Sequence, residues 1–114
     1  MVGFSRAVVA GGRVWVSGTA PIMADGSDPP ADAHAQARRC LEIIGAALEE
    51  AGGSVADVVR TRIYLVRTSD FDEVARAHRE VLGDVRPAST MVTVAELADP
   101  RWLVEIEADA VLGP

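Results

Sequence analysis

Leu103 to Val111 alternates in type, so an extended strand here carries Glu105, Glu107 and Asp109 on one side and Val104, Ile106, Ala108 and Ala110 on the other. A carboxylate in such a row can position water and move protons, best when partial burial raises its pKa. It can also be one half of an ion pair. Arg60 and Arg62 share a face of a second strand-like stretch, Val58 to Val66, with Tyr64 and Val66, while Thr61, Ile63 and Leu65 form the other face. The acidic row therefore reads either as a structural set neutralised by these arginines or as a site that uses one of its carboxylates. Adjacent same-face carboxylates need at least one cation, so Glu107 is the expected structural partner and Arg62 its counter-ion.

Other reactive side chains are sparse. Ser89 and Thr90 offer hydroxyl groups, but no His/Asp pair is placed by the sequence to turn either into a nucleophile. His78 falls on a helical apolar stripe, where a packed and hydrogen-bonded ring is the ordinary outcome, and His34 opens another stripe. Neither has a Cys, His or Asp partner at metal-ligand spacing, so no metal is expected. The lone Cys40 excludes an intramolecular disulfide and sits where a small buried residue belongs. The Gly-Gly pairs lack the strand-to-helix setting of a phosphate loop, and no motif calls for a cofactor.

The elements that must hold these groups follow from period and punctuation. Arg6 to Val9 and Arg13 to Ser17 alternate around Gly11-Gly12, which predicts a tight hairpin. Pro21 to Pro30 is a loop with room for a short strand at its start. A helix is expected over Ala33 to Ala51, with the stripe Ala37, Leu41, Ile44 and Leu48, Asp32 as N-cap and Gly52-Gly53 as the stop. After the Val58 to Val66 strand, Asp70 caps a second helix, and Glu73 completes a capping box. Its stripe is Phe71, Val74, Ala75, His78 and Leu82, and Gly83 ends it. Arg86 to Val111 reads as two strands around a Pro-containing loop. Two helices with one stripe each must cover the same face of a single mixed sheet, an α+β domain spanning residues 1–114. The other face, with its carboxylates and arginines, is left for burial between subunits.

Several segments together resemble the RidA/YjgF family of reactive imine and enamine deaminases. PAST followed by V-x-V-x-x-L and LVEIEADAV is similar to the family's C-terminal signature, SRAVVAGGRVWVSGTAP to its first hairpin, QARRCLEIIGAALEEAGGS to its first helix and DVVRTRIYLVRTSDF to its central strand. The resemblance implies a chorismate-mutase-like fold, a homotrimer built as a central barrel, and hydrolytic deamination of a small imine in clefts between subunits. It makes Glu105 the residue that orients the attacking water. It assigns substrate contacts to Phe4, in place of a family tyrosine, to Gly18 and Ala20 through backbone groups, and to Ser89, Thr90 and Met91, with Arg62 and His78 as further candidates. Arg6 is read as a solvated surface residue near the same opening, and Trp15 and Trp102 as core or subunit-contact residues.

One position departs from the pattern. The family carries an arginine where this chain has Ser89, and that arginine is taken to hold the substrate carboxylate through paired N–H groups. Losing one partner of a desolvated charge pair costs on the order of 2–5 kcal/mol, so weak activity on simple 2-imino acids is expected. The alternatives are a trimeric small-molecule-binding or biosynthetic accessory protein, or a reaction on a neutral carbonyl substrate.

Composition narrows the partners. At net charge −6, with eleven arginines and no lysine, a sequence-independent grip on phosphate backbones would work against the overall field, so no nucleic acid is expected even though some family members have been described as ribonucleases. The first residues lack a signal-peptide pattern, no apolar run approaches the roughly 20 residues a spanning helix needs, and the free cysteine suits a reducing cytoplasm.

Overall fold

The computed structural model describes residues 3–113, so Met1, Val2 and Pro114 at the ends of the expected domain lie outside the described residues. Strands β1 (Ala7–Ala10) and β2 (Arg13–Thr19) form the expected hairpin, with Gly11 and Gly12 at φ 56° and 74°, values only glycine adopts freely at both turn positions. Helix α1 (Ala33–Glu50) leads to β3 (Val58–Leu65), and helix α2 (Phe71–Leu82) to β4 (Ala88–Thr93) and β5 (Val104–Val111). The sheet order is β1-β2-β5-β3-β4, with β3 and β4 parallel through α2 and the other neighbours antiparallel. The residues Pro21 to Pro30 contain no strand.

Both helices cover one sheet face. Ala37, Cys40, Leu41, Ile44 and Leu48 of α1 and Val74, Ala77 and Leu82 of α2 meet Val14, Ile63, Leu65, Val104, Ile106, Ala108 and Ala110 in one core. Asp32 caps α1 by accepting from the Ala35 amide at 3.1 Å. The start of α2 differs from the expected capping box. Asp70 accepts from Arg67 at 2.8 and 3.1 Å across a 3-10 turn, Thr68–Asp70, and makes no bond to the helix amides. Glu73 pairs with Arg76 instead. The buried face of the helix also differs from the expected stripe: Phe71 is 48% exposed and Ala77 takes the core position. A capping box does form, at Ser54 and Asp57 before β3, where Asp57 accepts from the Ser54 amide at 2.9 Å.

Two bulges bend the centre of the sheet. The β2–β5 register slips between Val16 and Thr19, leaving Ser17 and Gly18 opposite a single position, and the β3–β5 register slips at Val59. The β4–β5 loop is stapled to α1 by Gln36, which is 1% exposed. Its Nε2 donates to Pro30 O at 2.8 Å and Arg101 O at 3.0 Å, and its Oε1 accepts from Leu103 N at 2.8 Å.

Gln36→Leu keeps the volume but strands two carbonyls and one amide, and we expect it to lower unfolding free energy by about 2–4 kcal/mol in urea titrations. A change below ~0.5 kcal/mol would show that water satisfies these groups.

Candidate functional site

The outer face of the sheet is set by β5. Glu105 lies opposite Tyr64, Glu107 opposite Arg62, and Asp109 opposite both Arg60 and Trp15. Arg62 donates through one nitrogen to Glu107 at 3.1 Å and Asp109 at 3.3 Å. It is thus the counter-ion of those two carboxylates, as its strand position suggests. Glu105 is not paired with Arg60 or Arg62, contrary to the ion-pair alternative, and makes no salt bridge among the described residues. Burial raises its pKa above the ordinary glutamate range, and the nearby Glu107 charge adds to the effect.

What distinguishes Glu105 from its neighbours is the β2 bulge. Gly18 sits against the Glu105 carboxylate so closely that a Cβ there would run into Oε1, so a larger residue would displace the Glu105 side chain from its present position. Together they form part of a recess of ≈ 340 Å³. Phe4 and Arg6 enter it from the segment before β1, Ser17 and Ala20 from β2 and the turn after it, and Ala98 and Trp102 from the β4–β5 loop. Phe4, Gly18, Ala20 and Glu105 are therefore brought together. Trp102, expected in the core or a subunit contact, lines the recess. Arg6 does so too, its Nη1 donating to Thr19 Oγ1 at 3.4 Å. Trp102 and Ala98 escaped sequence reasoning because only the fold of their loop brings them to β5.

Of the remaining candidates, Ser89, Met91 and His78 belong to the helix-covered side of the sheet, and Thr90 does not. Ser89 pairs in register with Thr61, Thr90 with Arg62, and Met91 with Ile63. Met91 packs against the hydrophobic core, and Thr90 falls on the outer face beside Arg62. Ser89 Oγ lies 2.7 Å from Thr61 Oγ1, which in turn lies 2.9 Å from His78 Nε2. Burial lowers the His78 pKa, so the ring is neutral near pH 7. From strand spacing, Ser89 and Glu105 are about two strands and three residues apart, roughly 14 Å, within one chain. The chain thus holds two separate clusters: a carboxylate on β5 in a recess that Arg6 also lines, and a hydroxyl chain on β3 and β4. Cys40 belongs to neither; burial pushes its thiol up to about 12, leaving it a packing residue.

A family model described as Endoribonuclease L-PSP matches residues 1–112. SCO2049 of Streptomyces coelicolor is 38% identical over 111 residues, covering 97% of this chain and 83% of that protein. The crystal structure of Rv2704 from Mycobacterium tuberculosis, a member of the YjgF/YER057c/UK114 family, superposes with TM-score 0.89 at 45% identity, covering 97% of this chain and 88% of that one. That of TdcF from E. coli with bound serine superposes with TM-score 0.91 at 28% identity, covering 99% and 90%.

The raised Glu105 pKa has a stability consequence whose sign is fixed. Because the folded-state value exceeds the unfolded one, the folded protein holds this proton more tightly, and stability falls as pH rises through the interval between them. Glu105→Gln is accordingly expected to be more stable than the parent at pH 7, with the gain vanishing below the ordinary glutamate pKa. Thermal melts at pH 7 and pH 4 test this, and a gain that persisted at pH 4 would exclude ionisation as its cause.

Proposed function

The chain belongs to the endoribonuclease L-PSP family, the RidA/YjgF proteins, and from that premise we propose that it hydrolyses a small reactive imine or enamine to a carbonyl compound and ammonia, in clefts between the subunits of a homotrimer. The observation that carries this reading is Glu105, a carboxylate without a salt-bridge partner among the described residues, its proton affinity raised by burial, in a recess lined by Phe4, Ala20 and Trp102 together with Arg6.

The chemistry asks for a group that takes a proton and returns it. A water held by Glu105 adds its oxygen to the C=N carbon while its proton passes to the carboxylate. Glu105 returns that proton to nitrogen, which gives a carbinolamine, then takes the carbinolamine hydroxyl proton and delivers it to the amine nitrogen as C=O forms and the C–N bond breaks, so that ammonia leaves and the carboxylate is restored. Glu107 and Asp109 are instead committed to Arg62 as its ion-pair partners. Phe4, Ala20 and Trp102 offer surface for an apolar substrate body.

The separation of the two clusters supports a shared cleft. Glu105 and Gly18 lie on one side of the sheet and Ser89 on the other, so a second copy is the economical way to complete the site. TdcF, crystallised with serine, is a relative whose structure holds a small polar molecule. The outer sheet face, with exposed Trp15 beside the Arg62 ion pairs, suits the inside of a trimeric barrel. The ribonuclease wording of the family description finds no support in a chain of net charge −6 whose outer sheet face carries an acidic row, and we assign no nucleic-acid partner. Among the described residues no helix is long and apolar enough to cross a membrane, and buried Cys40 is compatible with a reducing cytoplasm.

Ser89 favours one second reading, a binding or accessory protein that keeps the cleft without deaminase chemistry, because the family's guanidinium is absent there. The deciding assay generates 2-imino acids in situ with an amino-acid oxidase and follows their loss. We expect modest acceleration that falls by about 10²-fold or more in Glu105→Ala. Ser89→Arg should raise the rate on simple 2-imino acids about tenfold or more. No acceleration in either the parent or Ser89→Arg would sink the deaminase reading and leave the binding one.

A further inference from the structure

Ser89 is the exposed end of a connected chain of hydrogen-bonding groups. Thr61 is 0% exposed, and its hydroxyl donates its one proton to Ser89 Oγ at 2.7 Å. Its bond to His78 Nε2 at 2.9 Å is therefore one in which the ring N–H donates and Thr61 Oγ1 accepts. The chain runs from His78 through Thr61 to Ser89, with the imidazole neutral and its proton on Nε2, and the Ser89 proton is left free to point outward.

We propose that Ser89, Thr61 and His78 form a neutral donor point at β4, selecting a substrate whose group next to the reacting carbon is a carboxamide or another uncharged carbonyl in place of a carboxylate. This rests on the shared-cleft reading and names its substrate class. A carboxamide carbonyl accepts from the outward Ser89 hydroxyl, and its N–H groups can donate to the remaining Ser89 lone pair. A carboxylate gains one hydrogen bond here and no cation. Arg62, on the neighbouring strand, points to the opposite face and is committed to Glu107 and Asp109. Desolvating a carboxylate beside an uncharged hydroxyl is unfavourable, whereas desolvating an amide that finds partners is nearly neutral. Ser89 touches the ligand in this arrangement; Thr61 and His78 act through it and are positioning residues.

The test compares two product-like probes of equal size, 2-oxobutanamide and 2-oxobutanoate, by titration calorimetry on the full chain. The parent should bind the amide about tenfold or more tightly than the acid. Thr61→Val should weaken amide binding severalfold without changing acid binding, Thr61→Ser should restore it, and Ser89→Arg should invert the preference. Circular dichroism and thermal melts establish that each variant is folded. Acid binding equal to or tighter than amide binding in the parent would overturn the neutral-group assignment. If Ser89→Arg then gained the acid, the shared cleft would still stand. Failure of either probe to bind the parent or Ser89→Arg would overturn the assignment and the cleft together.

Discussion

Strand β5 is hydrogen-bonded along both edges, to β2 on one side and β3 on the other, and this double pairing forces its two faces to serve opposite purposes. Every second side chain must disappear under α1 and α2, and Val104, Ile106, Ala108 and Ala110 are all 1% exposed or less. Each buried branched side chain contributes about 1.5–3 kcal/mol, so the register cannot slip by one residue without exchanging the core for the acidic row. With that register fixed, Glu105, Glu107 and Asp109 have no choice of face. Crowding three carboxylates onto one strand is tolerable only because β3 supplies Arg62 beside two of them.

The third carboxylate is the exception that matters. The spacing of the acidic row treats Glu105 and Glu107 alike, yet their environments diverge. Arg62 reaches Glu107 and Asp109 but leaves Glu105 beyond the ion-paired set, while the β2 bulge brings Gly18 against it. Removing water from a carboxylate without supplying a cation raises its pKa, whereas an ion pair opposes that rise. Two glutamates two residues apart thus sit in different environments, one paired with Arg62 and one desolvated in the recess.

The far side of the sheet follows a related logic with uncharged groups. Thr61 is a polar residue on the core face of β3, and a buried hydroxyl left alone would be costly. It is satisfied by His78 of α2 and Ser89 of β4, the two elements joined in sequence just after β3. The β3-α2-β4 crossover brings a helix over the strand pair it connects, so these residues meet as a consequence of the chain path. An arginine at position 89 would alter this arrangement as well as add a charge.

Period and punctuation determined much of the molecule. The alternation in β5 and β3, the α1 stripe with Asp32 and the Gly11-Gly12 turn lead to the observed elements because burial of one face and backbone freedom are local properties of the residues. The resemblance of the terminal strands was legible for the same reason, and it marked Glu105, Gly18 and Ala20, which the structure places together. The cap of α2 was misread because Asp70 had two acceptable partners, the helix amides and Arg67, and only the geometry of the preceding 3-10 turn chose between them. The bulges at Gly18 and Val59 were likewise invisible, since they come from how neighbouring strands register and twist. Tertiary structure alone therefore decided that Trp102 joins Glu105, that Gln36 staples the β4–β5 loop, and that Ser89 is wired to His78. These contacts join residues far apart in sequence, and their geometry comes from packing that no single segment contains.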